Sequence, residues 1–231
     1  MKYLMKKITI IPARSGSKGL KNKNILELNE IPMFAWSVIH AKYYSSDEDV
    51  VVVSSDSEKY LEIANKYGAS THLRSNELSK DETFTEPVME EVLKEYNFDD
   101  DDLVILLQPT SPIRKKNTLN NFINCFDNKT CDSALTVSNF HGFLWKDDKE
   151  FKEPLYSERP RRQDMEPKYM ETGSIYGTKV KHFNKTLNRV SGNTAGVIVN
   201  FEESLEVDTQ EEFNVIKSFF KDFIVEWEDS L

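Results

Sequence analysis

Short β-branched apolar runs alternate along the chain with longer stretches whose apolar residues recur at helical spacing. Ile8–Ile11, Val50–Val53 and Leu103–Leu107 are nearly continuous apolar runs, the pattern of strands covered on both faces. Between them, residues 32–44 (PMFAWSVIHAKYY), 57–67 (SEKYLEIANKY, ended by Gly68) and 85–96 (TEPVMEEVLKEY) carry helical spacing. Thr85 reads as the N-cap of the last of these, with Pro87 in its first turn. A helix near 117–127, strands near 133–138, 173–177 and 196–200, and a closing amphipathic helix over TQEEFNVIKSFFKDF continue the alternation. This order predicts an α/β fold with a mostly parallel central sheet flanked by helices.

From about 140 to 170 the pattern fails. The stretch holds three prolines, many charges and the aromatics Phe140, Phe143, Trp145, Phe151, Tyr156 and Tyr169, without a regular period. So much apolar surface makes a poor solvated loop, and loops this long are uncommon unless functional. It reads as an inserted excursion that packs on a partner or a substrate. With no repeat, low-complexity tract or linker, residues 1–231 are expected to form a single domain carrying that insertion.

Composition narrows the function classes. A net charge of −9 disfavours a nucleic-acid coat, which needs a basic surface. Two cysteines outside any CxxC pair and four scattered histidines give neither a disulfide framework nor metal-ligand spacing. The N-terminal apolar run is too short for a signal peptide, and no segment reaches the roughly 20 apolar residues of a membrane span. A cytoplasmic protein is the expectation.

Against that acidic background, the loop IPARSGSKGLKNKN gathers Arg14, Lys18, Lys21 and Lys23 around two glycines. Small residues let backbone N–H groups approach phosphate oxygens, while the cations neutralise their charge. The order is neither GxxxxGK[ST] nor GxGxxG. Three further segments sit where strand ends are expected: SSD at 54–56, QPTSPIR at 108–114 and EVD at 206–208. Ligands of open α/β sheets bind beyond such ends. Each segment also has a plainer reading: a turn, a helix cap at 54–56, a rigid proline turn, solvated carboxylates. Coincidence at four places is less probable than one shared ligand. Glu206 and Asp208, alternating on an extended segment, point the same way and suit a magnesium ion shared with phosphates.

The opening segment TIIPARSGSKGLKNKNI closely resembles the N-terminal signature of the CMP-sialic acid synthetases, the acylneuraminate cytidylyltransferases. LLQPTSPIR at 106–114, RPRRQ at 159–163, GSIY at 173–176 and EVDTQEEF at 206–213 match further motifs of that family in order. The length is similar to that of the bacterial single-domain form. The resemblance implies a Rossmann-like nucleotidyltransferase fold and a homodimer formed through residues 140–170. It also implies transfer of CMP from CTP to a nine-carbon 3-deoxy-2-keto sugar acid, with Mg2+ as cofactor and Mn2+ as its substitute. No nucleic acid or membrane enters that reaction.

Residue by residue, the resemblance assigns the triphosphate to Arg14, Ser17, Lys18 and Lys23, with backbone from Ala13 and Gly16, and places Asn24 among the nucleotide-binding residues. Arg74 and Thr83 (or Thr85) fall to the nucleoside, and Glu206 and Asp208 to the metal. Gln108, Thr110, Arg114, Arg161, Thr172 and Tyr176 fall to the sugar. Arg14, Lys18, Gln108 and Asp208 are the implied catalytic group, stabilising charge on the bridging oxygen and the leaving pyrophosphate. Two departures stand out. Glu206 replaces the usual Asp, and Thr172 replaces an Asn. No residue presents itself as the general base. Legionaminic or pseudaminic acid remains open as the sugar. The rivals are a Kdo or sugar-1-phosphate nucleotidyltransferase and a non-catalytic nucleotide-binding module.

Overall fold

The computed structural model describes residues 5–16, 19–80, 82–127, 130–148 and 150–231. Strand β1 (Lys7–Pro12) leads through the cationic loop to a two-stranded ribbon, β2 (Glu27–Leu28) and β3 (Ile31–Pro32), and then to α1 (Met33–Tyr44). The alternation continues with β4 (Val50–Ser55), α2 (Glu58–Lys66), β5 (Ser70–Leu73), α3 (Thr85–Leu93), β6 (Leu103–Leu107) and α4 (Lys116–Asn124). After β7 (Ser133–Phe140) come β8 (Trp145–Asp148), β9 (Phe151–Pro154), β10 (Lys168–Lys179), α5 (Val180–Thr186), β11 (Thr194–Val199) and α6 (Gln210–Phe223).

Seven strands form the main sheet in the order β11-β7-β10-β6-β1-β4-β5. Strand β10 runs antiparallel to β6 and β7, and every other neighbouring pair is parallel. The predicted mostly parallel sheet is therefore present. Its faces divide by alternation. Thr9 and Ile11 lie on the opposite side from Ile8 and Ile10, and Leu103, Ile105 and Leu107 oppose Val104 and Leu106. One face packs against α1, α2, α4 and α6, the other against α3 and α5. All five residues of β6 are fully buried, each contributing roughly 1.5–3 kcal/mol if its side chain would otherwise be wet. Helix α1 is buried continuously from Met33 to Ala41, because it lies between the sheet and other helices. Its Trp36 meets Phe220 and Phe223 of α6 edge-on, with centroids 4.8 and 6.1 Å apart.

Several elements differ from expectation. Strand β5, reading STHL, escapes an apolar-run search because it is an edge strand whose one buried residue is His72. Thr85 does not cap α3: Phe84 occupies that position and offers no side-chain hydrogen bond. The stretch after Phe140 is an antiparallel hairpin, β8 with β9, registered from Trp145↔Pro154 to Asp148↔Phe151. Phe143 and Tyr156 pack edge-on at 5.4 Å beside it, and the Arg159 guanidinium lies 4.7 Å from the Phe143 ring centre. Leu144, Trp145 and Leu155 remain exposed. The side chain of Phe151 lies outside the described set.

Candidate active site

Strands β4 and β6 flank β1 on opposite sides, so the chain reverses its direction of winding at β1. Loops leaving the carboxyl ends of strands diverge at such a point and leave a crevice. A cleft of about 350 Å³ opens there, lined by Arg14, Lys23, Asn24, Arg74, Thr83, Gln108, Thr110, Glu206 and Asp208 among others. Nine of the residues singled out in the sequence thus meet in one space.

The cationic loop is held from below. Ala13 is fully buried and its N–H donates to Ser54 O at 2.9 Å, so that backbone donor serves the sheet rather than a phosphate. Ser15 donates from N–H and Oγ to the two carboxylate oxygens of Asp56, at 2.7 and 3.0 Å. Asp56 is therefore the anchor of this loop and not a cap of α2, whose N-cap position belongs to Ser57. Asn24, buried, donates from Nδ2 to Arg14 O at 2.9 Å, which makes it a brace for the loop. Gly16 is exposed, with open space around its Cα, and does not line the cleft. Gly19 is different. A Cβ there would sit 2.6 Å from the Asp208 carbonyl oxygen, so only glycine lets this loop close on the 206–208 segment. Ser17 and Lys18 lie outside the described residues.

The acidic segment is positioned by its middle residue. Val207 is fully buried and its N–H donates to Thr110 O at 2.8 Å, so Glu206 and Asp208 both reach the cleft. Thr110 Oγ1 donates to Glu206 Oε1 at 2.8 Å, and Lys23 Nζ donates to Asp208 Oδ1 at 2.7 Å and to Val207 O at 3.1 Å. A capping box at the start of α6 fixes the next turn. Thr209 Oγ1 accepts from Glu212 N, while Glu212 Oε2 accepts from the N–H groups of Asp208 and Thr209. Those backbone donors hold the Glu212 carboxyl below its usual range.

Arg74 forms the opposite wall. It is largely buried, donating to Ser54 O at 3.0 Å and Ser54 Oγ at 3.3 Å, and burial lowers its pKa. With Arg14 and Lys23 it puts three cations around a space holding two carboxylates, a pattern suited to polyanion plus divalent cation.

Four residues assigned to a sugar lie elsewhere. Arg114 is 1% exposed and reaches beneath the floor, donating to Gln108 O at 2.6 Å, Ser174 O at 3.1 Å and Ser37 Oγ at 3.1 Å. It therefore fixes the turn that presents Gln108 and does not line the cleft. Thr172 is buried against Thr136, with hydroxyl oxygens 2.7 Å apart, at a β10 bulge where Gly173 has φ +72°. Tyr176 is buried and its hydroxyl donates to Glu171 Oε2 at 3.0 Å; burial, then Glu171, pushes its pKa up to about 12. Arg161 is exposed beyond β9, donating to Asp164 at 2.6 Å. The cleft also has walls that motif reading passed over. Phe84, 77% exposed, and Val88 line it, and only the position of Phe84 between two threonines before a helix hinted at a rim residue.

The cytidylyltransferase family pattern matches residues 8–229. An N-acylneuraminate cytidylyltransferase from Streptococcus agalactiae serotype III is 33% identical over 230 residues, covering 96% of this chain and 55% of that protein. The chain thus spans about half the length of the first such relatives. A CMP-N,N'-diacetyllegionaminic acid synthase from Legionella pneumophila is 31% identical over 214 residues, covering 89% of this chain and 92% of the relative. Among solved structures, a CMP:2-keto-3-deoxy-manno-octonic acid synthetase complexed with CTP superimposes with TM-score 0.66 at 16% identity, covering 94% of this chain and 99% of that one. At that identity the likeness concerns the fold.

Proposed function

The chain belongs to the cytidylyltransferase family, and from that premise we propose that it activates a nonulosonic, sialic-acid-like sugar with CTP. The sugar's anomeric hydroxyl oxygen bonds to the α-phosphorus, the bond from that phosphorus to the β-bridging oxygen breaks, and pyrophosphate leaves with the electron pair. The hydroxyl proton goes to solvent. The observation that carries this reading is the single cleft in which Arg14, Lys23 and Arg74 face Gln108, Glu206 and Asp208. Arg14 and Lys23 oppose the triphosphate charge, Arg74 and Thr83 take the nucleoside, and Gln108 stands at the sugar's approach. Thr110 serves by orienting Glu206.

Glu206 and Asp208 both line the cleft, and two carboxylates plus phosphate oxygens suit Mg2+. Mg2+, or Mn2+ in its place, would neutralise phosphate oxygens as charge moves to the leaving group. A cytoplasmic site of action and a homodimer complete the proposal. The described helices include none long and apolar enough to cross a membrane. The exposed Leu144, Trp145 and Leu155 of the hairpin supply the dimer's apolar contact, and Arg161 serves the partner's cleft.

Legionaminate is the second reading of the sugar. The relative whose length the alignment nearly spans carries that substrate in its name. Pyrophosphate release from CTP with N-acetylneuraminate, legionaminate, pseudaminate and Kdo separates the readings. Release with a nine-carbon acid is expected, at rates about two decades lower in Asp208→Asn. Release with Kdo alone, or with none, overturns the proposal.

A further inference from the structure

Behind the Arg74 wall, Ser54 and His72 face each other across β4 and β5. Both are buried, with Ser54 Oγ and His72 Nδ1 3.0 Å apart. The same Ser54 Oγ accepts from Arg74 Nε at 3.3 Å, and Ser54 O accepts from Arg74 Nη2 at 3.0 Å. On the far side, His72 Nε2 lies 3.5 Å from Glu91 Oε2 and 3.5 Å from Glu95 Oε1. Three side chains, His72, Ser54 and Arg74, therefore run in series from two carboxylates to the cleft.

The chemistry of the groups fixes the direction of the first hydrogen bond of the series. A guanidinium has only donors, so Ser54 Oγ accepts from Arg74. Ser54 Oγ and His72 Nδ1 share the next hydrogen bond at 3.0 Å, and the other ring nitrogen, Nε2, faces Glu91 and Glu95. Without His72, the hydroxyl of Ser54 is free to rotate and the Arg74 Nε loses a fixed acceptor.

We infer that His72 is a positioning residue for the nucleotide: through Ser54 it sets the rotation of the Arg74 guanidinium at the cleft wall. This rests on the reading of Arg74 as a nucleotide contact. It adds a buried histidine that no motif contains and that never touches substrate.

The test uses the full chain, with CTP binding followed by calorimetry and KM values measured for CTP and the sugar acid. His72→Phe keeps ring volume and removes both nitrogens, whereas His72→Asn keeps a hydrogen-bonding group where Nδ1 stands. Ser54→Ala removes only the hydroxyl and covers the case in which His72→Phe does not fold. The expected result is a rise of about tenfold in Kd and KM for CTP in His72→Phe and in Ser54→Ala, with the sugar KM within about twofold of wild type. His72→Asn should recover most of that loss. His72→Phe on top of Arg74→Ala should cost nothing further. Unchanged CTP affinity in a folded His72→Phe or Ser54→Ala, equal losses on both substrates, or no recovery in His72→Asn would each overturn the proposal. If Arg74→Ala itself leaves CTP affinity unchanged, the nucleotide reading of Arg74 has failed. If Arg74→Ala weakens CTP and His72→Phe does not, only the role of His72 falls.

Discussion

Arg114 carries a positive charge where almost no water reaches it, and its partners are three neutral oxygens and His40 Nδ1, 3.4 Å away. Burial pulls its pKa down to about 9, so the guanidinium stays protonated at neutral pH. Neighbouring His40 is pushed well below its ordinary value, first by burial and then by this charge, and stays neutral. The arrangement joins α1, the turn after β6 and strand β10 through one side chain. Arg114→Met leaves the Gln108 and Ser174 carbonyls short of a donor, at a cost of roughly 2–4 kcal/mol. Thermal melting should show a fall of roughly 5–15 °C; an unchanged midpoint would mean that water replaces the guanidinium without loss. The residue also shows the limit of motif reading. Its place in QPTSPIR marks it as important, yet a motif does not say which way a side chain points, and here it points under the site. Arg14, Lys23, Gln108, Glu206 and Asp208 were legible because charge and small residues at strand ends have few other uses. Phe84 and His72 were not, since an exposed aromatic and a lone histidine have many.

At the scale of elements, two loops and one helix terminus build the cationic side of the cleft. Gly19→Ala would force apart the cationic loop and the 206–208 segment, because the clash is with backbone rather than a flexible side chain. The expected outcome is at least a tenfold loss of turnover with a melting temperature close to wild type, since Gly19 is exposed and outside the core. Normal turnover in Gly19→Ala would show that the contact is not needed for catalysis. The capping box makes a second, pH-dependent prediction. Glu212 is depressed by the N–H groups of Asp208 and Thr209, so its stabilising effect is present above the unfolded value of 4.5 and is lost as pH falls through the folded one. Wild type should melt above Glu212→Gln at neutral pH, and the gap should close below about pH 4.5. A gap that persists in acid would place the contribution in packing instead. Elements with buried apolar runs, such as β1, β4 and β6, could be read directly from the sequence. Strand β5 and the β8–β9 hairpin could not, because edge and solvent-facing strands carry no apolar pattern to detect.

At the scale of the molecule, the described lining of the cleft holds three cations and few polar side chains on the side proposed for the sugar. Gln108 and Thr110 line it there, while Arg161 stands exposed near the hairpin, paired only locally with Asp164 among the described contacts. A sugar carboxylate needs a guanidinium more than an ammonium, because only the former offers paired donors in one plane. In the proposed homodimer, the hairpin's exposed Leu144, Trp145 and Leu155 are covered and Arg161 is delivered to the neighbouring cleft. Removing 143–156 should then yield monomers with a raised KM for the sugar acid and a CTP affinity near wild type, read by light scattering and two-substrate kinetics. The sharper experiment mixes Asp208→Asn chains with Arg161→Ala chains. If Arg161 acts across the interface, each mixed dimer holds one intact cleft and one doubly damaged cleft. About half of wild-type turnover per mixed dimer is expected, from two parents that are each nearly inactive. Verified mixed dimers with no more activity than the parents would confine Arg161 to its own chain, and the sugar side would have to be completed from within it.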